Sequence, residues 1–146
     1  MELKFQVQAK IRKPVDEVFD AVYNPKKLNA FFTTGGASGP LDEGKTVKWY
    51  FADVPGSFPV EVKKVVKDRK IILEWEAAEG GYNTKTEMTF EPLDRSSTLV
   101  RVSESGWKES QRGLDDSYKN CEGWTQMLCC LKAFLEHGVN LREFYF

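Results

Sequence analysis

The sequence contains few of the residue types that metal sites and many hydrolases require. Its 146 residues include one histidine, His137, and three cysteines without a Cys-x-x-Cys spacing. Zinc sites draw mainly on cysteine and histidine, so we expect no metal site and no cofactor. A lone histidine also leaves Ser-His-Asp hydrolysis without independent support. At the end of the last predicted helix, His137 is better placed to interact with the helix dipole.

The few cysteines do not form a disulfide framework. Cys121, Cys129 and Cys130 all fall within the last predicted helix, and two of them are adjacent. An odd number with this spacing is a poor basis for disulfides. We therefore expect reduced thiols that pack as small apolar side chains. Cys129 and Cys130 point to different sides of the helix, so at least one of them should be partly exposed.

An excess of one charge and long apolar runs are also missing. The sequence has 21 Lys and Arg against 22 Asp and Glu, for a net charge of -1. They alternate along the chain and form no basic stripe, which argues against nucleic-acid binding. No run approaches the ~18 apolar residues of a membrane span. The start, MELKFQVQAKIRKP, alternates like a strand and not like a signal peptide, so we expect a cytoplasmic protein.

The sequence does contain a series of short segments in which apolar and polar residues alternate, as is typical of half-buried strands. Short turn sequences separate most of them, which favours an antiparallel meander. Around Lys63 and Lys64 the alternation changes parity, which predicts a bulge. The predicted strands are centred on Leu3–Ile11, Val47–Phe51, Phe58–Val66, Ile71–Trp75, Tyr82–Phe90 and Thr98–Glu104.

Helical spacing appears after the first strand and again at the end of the chain. Pro14 opens a helix that stops at Asn24-Pro25, and a second short apolar helix is predicted to follow. The last helix is predicted from about Leu114 to His137, with Gly138 as its C-cap. Residues three and four apart form its apolar stripe: Leu114, Tyr118, Cys121, Trp124, Leu128, Leu131 and Leu135.

These elements predict one α+β domain over residues 1–146, with a curved antiparallel sheet whose concave face holds the long helix. Gly123 lies inside that helix, where glycine costs roughly 1 kcal/mol relative to alanine. We therefore expect the helix backbone to approach the sheet or a neighbouring aromatic ring too closely at Gly123 for a side chain.

The sequence resembles the helix-grip superfamily called START-like or SRPBCC. The segments that carry the resemblance are KPVDEVFDAVYNPKKLNAFF near the start, ESGW at the end of the last strand, and GWTQMLCCLKAFLEHG in the last helix. Within the superfamily, the chain is most similar to the branch named for the C-terminal domain of the heat-shock protein 90 ATPase activator. The resemblance implies a Bet v-like fold, in which the sheet wraps around the C-terminal helix and short helices follow the first strand.

The resemblance leaves the function open, because the superfamily includes lipid carriers, hormone receptors, polyketide cyclases and chaperone regulators. It implies a chaperone as one possible partner and a link to the stress response. The activator carries an additional N-terminal domain that contributes to chaperone binding, and we expect no counterpart of it in these 146 residues. No feature of the sequence indicates an oligomeric state.

The inner faces of the predicted strands and helix are rich in large side chains. They can form a plain core, or they can line a cavity for a small hydrophobic or amphipathic molecule. The candidate ligand-binding residues are Trp49, Phe51, Trp75, Met88, Glu104, Trp107, Trp124, Met127 and Leu128.

Glu104 is the most informative polar residue among them, since strand parity points it inward. A buried carboxylate needs partners, so Glu104 is either a polar anchor for a ligand, an acid or base, or a solvated rim residue where the strand twists. The leading hypothesis is a binding module. The alternatives are a chaperone regulator, and a cyclase- or hydratase-type enzyme in which Glu104 transfers protons.

Overall fold

Seven antiparallel strands form one sheet in the computed structural model, which describes residues 1–145. The order across the sheet is β1-β7-β6-β5-β4-β3-β2. The first strand therefore pairs with the last, with Lys4 opposite Ser105 and Ile11 opposite Thr98. The strands are β1 (Lys4–Ile11), β2 (Gly36–Ala37), β3 (Thr46–Phe51), β4 (Val54–Val66), β5 (Lys70–Glu76), β6 (Asn83–Asp94) and β7 (Ser97–Ser105).

The helices are α1 (Val15–Tyr23), α2 (Pro25–Leu28) and α3 (Gln111–His137). Ser110 caps the N-terminus of the long helix α3, and its hydroxyl accepts a hydrogen bond from the backbone N–H of Gly113 at 3.0 Å. Gly138 caps the C-terminus with a left-handed φ of 67°, a conformation that favours glycine. The predicted α+β arrangement of curved sheet and long C-terminal helix is confirmed. So is the predicted bulge, since the β4–β5 register shifts between Val62 and Lys64.

The long helix buries a different face from the predicted one over its first turns. Trp124, Leu128 and Leu131 are buried in the core as expected, but Tyr118 is 65% exposed and Leu114 is only partly buried. The continuous apolar stripe is therefore wrong at its N-terminal end. Small and polar residues are buried there instead, namely Gly113, Asp116 and Ser117.

The close approach expected at Gly123 is also wrong. A Cβ atom built on Gly123 meets nothing within 4 Å. The crowded glycine is Gly113, where a Cβ would lie 2.0 Å from the backbone oxygen of Lys108. The segment before α3 folds back against the first turn of the helix, and only a glycine leaves room for it.

Alanine substitutions at these two glycines should therefore have opposite effects. Gly113→Ala forces a methyl group into a backbone carbonyl and should cost roughly 1–3 kcal/mol, as overpacking does. Gly123→Ala gains helix propensity in open space and should stabilise the protein by up to ~1 kcal/mol. Urea titrations of both variants measure the two changes. Equal stability of the two variants would contradict this assignment of the crowded position.

The three cysteines are free. Cys129 is exposed and Cys130 is buried, which confirms that at least one of the adjacent pair reaches solvent. Burial raises the pKa of the Cys130 thiol to about 11, so this cysteine is the less reactive of the two near neutral pH. Among residues 1–145, no helix is both long enough and apolar enough to cross a membrane.

Candidate functional site

The centre of the candidate site is the Glu104 carboxylate, near the end of β7. Glu104 is 2% exposed, so it is not a solvated rim residue. Strand pairing places it opposite Phe5 of β1 on one side and Thr86 of β6 on the other. The inward direction expected from strand parity is thus what the structure shows.

Four side chains donate hydrogen bonds to this carboxylate. The indole nitrogen of Trp75 donates to Oε2 at 3.0 Å, and that of Trp124 donates to Oε1 at 2.8 Å. The Thr84 hydroxyl donates to Oε2 at 2.6 Å. The Asn120 amide nitrogen lies 3.2 and 3.1 Å from the two oxygens. All four donors are neutral, and Glu104 forms no ion pair with any residue of the described range 1–145.

This arrangement explains how a carboxylate can be buried without a cation. Desolvating it is costly, and charge-assisted hydrogen bonds from several donors offset that cost. The same bonds tie together β5, β6, β7 and α3. They also hold the rings of Trp75 and Trp124 in place, with ring centroids 5.7 Å apart. Glu104 therefore fixes the orientation of two rings of an aromatic cluster.

An open pocket of about 330 Å³ lies in front of these two rings, between the sheet and α3. We call it the aromatic pocket. Its walls include five aromatic rings, those of Phe32, Phe51, Phe58, Trp75 and Trp124. Phe32 packs against Phe51 at 5.1 Å and against Trp124 at 5.8 Å between centroids. The remaining lining residues are Val54, Lys119, Asn120, Glu122, Gly123, Gln126 and Arg142.

Arg142 closes one side of the aromatic pocket. It comes from the segment after α3, and its side chain is only 9% exposed. The guanidinium lies 4.6 Å from the ring centroid of Phe51 and 5.5 Å from that of Phe32. It also forms an ion pair with Asp53 at 2.9 Å. The chain thus already places one cation against the faces of this ring cluster.

Gly123 has a clear role in this geometry. It lines the aromatic pocket from α3, and a side chain built there would meet open space. A larger residue at this position would therefore occupy the pocket without disturbing the core. Glycine at this position lowers the helix propensity of α3, and its lack of a side chain keeps the pocket open.

The candidate residues from the sequence divide into two groups. Phe51, Trp75 and Trp124 line the aromatic pocket, and Glu104 holds two of these rings from behind. The others do not line it. Trp49, Met88, Met127 and Leu128 are buried in the core, with Trp49 edge-on to Trp75 at 5.9 Å, and Trp107 packs against Phe5 at 5.8 Å.

Sequence reasoning missed Phe32, Phe58, Asn120 and Arg142 as pocket residues. Two of them carried a usable signal. Asn120 precedes Trp124 by one helical turn and so shares its face. Phe58 lies two residues before the buried Val60 on β4 and so points to the same side of the sheet. Arg142 had none, because its position depends on how the segment after Gly138 folds back.

A larger open groove of about 830 Å³ lies beside α1. Its walls carry many charged side chains, including Asp16, Glu17, Asp20, Lys27 and Asp42. Such a surface is hydrated, and a small apolar molecule would have to displace water from these charged groups. The aromatic pocket is smaller, but its chemistry fits that of ligand sites better.

Comparisons with known proteins agree on the family and the fold. A family model described as Activator of Hsp90 ATPase homolog 1-like protein matches residues 12–136. No curated protein matches the chain significantly.

Three similar solved structures come from different organisms. A protein from Staphylococcus saprophyticus is 24% identical with a TM-score of 0.80, covering 95% of this chain and 96% of that one. The Aha1 dimer from Colwellia psychrerythraea is 22% identical with a TM-score of 0.76, covering 92% and 97%. An HSP90 activator from Plasmodium falciparum is 19% identical with a TM-score of 0.74, covering 91% and 96%. At these identities the likeness shows the fold.

Proposed function

The chain belongs to the Activator of Hsp90 ATPase homolog 1-like family, and within that fold we propose that it binds a small apolar or amphipathic molecule in the aromatic pocket. Ligand sites for such molecules are concave, mostly apolar and largely preformed, with a few polar groups that set orientation. The aromatic pocket has this composition, with five rings on its walls and Asn120 and Gln126 among its polar groups.

The observation that carries the proposal is the way the walls are held. The indole N–H groups of Trp75 and Trp124 are both bonded to the buried Glu104 carboxylate, so neither ring depends on a ligand for its position. A ligand that enters does not have to order these side chains, and preorganisation of this kind improves affinity. Gly123 keeps the space in front of them open.

A ligand panel tests the proposal directly. Fatty acids, flavonoids, sterols and polyketide-like aromatics are screened by tryptophan emission and by thermal unfolding. A ligand that contacts Trp75 and Trp124 changes their emission. It stabilises the fold by RT ln(1 + [L]/Kd), about 2.7 kcal/mol at a hundredfold excess over Kd. We expect at least one class to act saturably in both measurements.

A pocket-filling variant then locates the binding. Gly123→Leu should reduce affinity for any ligand found by at least about tenfold, because the leucine side chain occupies the aromatic pocket. The protein should remain folded, since a Cβ at this position meets no neighbour within 4 Å. Thr125→Leu is the matched control, an exposed position on the same helix that does not line the pocket. Equal binding by both variants would place the ligand elsewhere.

A second candidate function is chaperone regulation, which family membership favours. One structural neighbour is an HSP90 activator. Its sequence identity to this chain is 19%, which supports a shared fold and not a shared function. Purified chaperone of the heat-shock protein 90 class tests this candidate by its ATPase rate with and without the protein. A stimulated rate, together with no saturable ligand in the panel, would make chaperone regulation the leading function.

The geometry gives less support to a cyclase- or hydratase-type enzyme. Each oxygen of Glu104 accepts hydrogen bonds from at least two side chains, and none of the four donors is a titratable group. A carboxylate engaged in this way has little capacity left to take a proton from a substrate. The arrangement supports a residue that holds the pocket walls.

A further inference from the structure

The charges around the aromatic pocket do not cancel. At its mouth, Lys119 and Glu122 are both exposed and of opposite sign. At its side, Arg142 is paired with Asp53 at 2.9 Å. Behind its wall lies Glu104, buried and bonded only to neutral donors within residues 1–145. Lys119 and Glu122 cancel each other, as do Arg142 and Asp53. The net charge of these five groups is therefore the single negative charge of Glu104.

A charge in this position acts on the contents of the pocket more strongly than a surface charge does. Mobile ions and water screen exposed pairs, whereas a buried charge is screened much less. Because the Arg142 guanidinium is offset by its ion pair with Asp53, the charge that remains is that of Glu104, which has no ion-pair partner among residues 1–145. An anionic group in the pocket is therefore repelled, and a cationic group is attracted. Lys119 and Glu122 are solvated and alter this balance little.

The walls themselves favour a cation. The face of an aromatic ring attracts cations, and tryptophan does so most strongly. Trp75 and Trp124 both donate their indole N–H to Glu104, and donation to an anion increases the electron density of the ring. The guanidinium of Arg142, 4.6 Å from the centroid of Phe51, shows that this cluster accepts a positive charge.

We propose that the ligand of the aromatic pocket carries a substituted ammonium group attached to an apolar or aromatic body. The ammonium group lies against Trp75 and Trp124 with the Glu104 carboxylate behind them, and the body fills the space in front of Gly123. This inference rests on the proposed binding function and adds the charge class of the ligand. It also predicts that fatty acids and other anions are poor ligands.

Isosteric compounds separate charge from shape. meta-Hydroxyphenyltrimethylammonium and meta-tert-butylphenol have the same shape, and only the first carries a positive charge. meta-tert-Butylbenzoate supplies an anion of similar size. Titrations of the wild-type protein at neutral pH, followed by tryptophan emission and calorimetry, should show the cation binding about tenfold more tightly than the neutral isostere. The anion should bind more weakly than both.

Charge variants connect the preference to the buried carboxylate. Glu104→Gln should reduce the cation-to-neutral affinity ratio severalfold, towards one. The matched control is Glu109→Gln, which removes an exposed carboxylate five residues later in the chain and outside the pocket, and it should leave the ratio unchanged. If Glu104→Gln does not fold, the ratio measured on the wild-type protein decides alone.

Two failures are distinguishable. Neutral binding as tight as cation binding overturns the charge inference and leaves the proposed binding function in place. Absence of binding by all three compounds also overturns the charge inference. The proposed function itself fails only if the broader panel gives no saturable ligand either.

Discussion

Glu104→Leu is expected to lower the free energy of unfolding by about 3–5 kcal/mol. Leucine has similar bulk and removes both acceptor oxygens, so four side-chain donors lose their partner at once. A buried donor left without an acceptor costs about 1–3 kcal/mol. The gain from removing a buried charge offsets part of that sum. The rings of Trp75 and Trp124 should also lose their fixed orientation.

Urea titration measures the loss of stability, and near-ultraviolet circular dichroism reports the tryptophan environment. Glu109→Leu is the control, because Glu109 is an exposed glutamate that forms an ion pair with the N-terminus at 3.3 Å. It should change stability by less than ~0.5 kcal/mol, as surface substitutions usually do. A Glu104→Leu protein as stable as the control would show that the carboxylate does not hold the cluster.

Leu131→Ala is expected to cost about 2–5 kcal/mol, the usual range for truncating a large core side chain. Leu131 is completely buried at the contact between α3 and the sheet. Tyr118→Ala is the informative control, since the sequence pattern placed Tyr118 on the same apolar stripe while the structure leaves it 65% exposed. That variant should change stability by less than ~0.5 kcal/mol. Comparable losses in the two variants would restore the helix orientation that the pattern alone predicts.

Six of the seven strands could be predicted from the sequence because alternation is a local property, whereas β2 is only two residues long and too short to show it. Even the bulge near Lys63 was visible, since the parity of the apolar residues changes there. The orientation of α3 was only half predictable. Its C-terminal half is buried through large apolar side chains, but its first turns bury Asp116 and Ser117, which a hydrophobic pattern assigns to solvent. The error at Tyr118 follows from this difference.

The candidate site was predictable in part for a similar reason. Strand parity pointed Glu104 inward, but no local pattern shows that its donors come from three other elements, including Trp75 of β5 and Trp124 of α3. The roles of Gly113 and Gly123 likewise could not be predicted from the residues near them in the sequence. A glycine that avoids a clash and a glycine that leaves a space have the same appearance in a sequence, and only the distance to neighbouring atoms separates them.

The pairing of β1 with β7 has a consequence for the synthesis of the chain on the ribosome. Lys4 of β1 pairs with Ser105 of β7, so β1 must wait until β7 has been synthesised before it joins the sheet. At translation rates of 5–20 residues per second, that interval is roughly 5–20 s. During it, the apolar side chains of the first strand have no native neighbour on β7. Such long-range pairing slows folding and leaves the nascent chain open to association with other chains. The apolar side chains of β1 therefore stay exposed to such association until β7 has been synthesised.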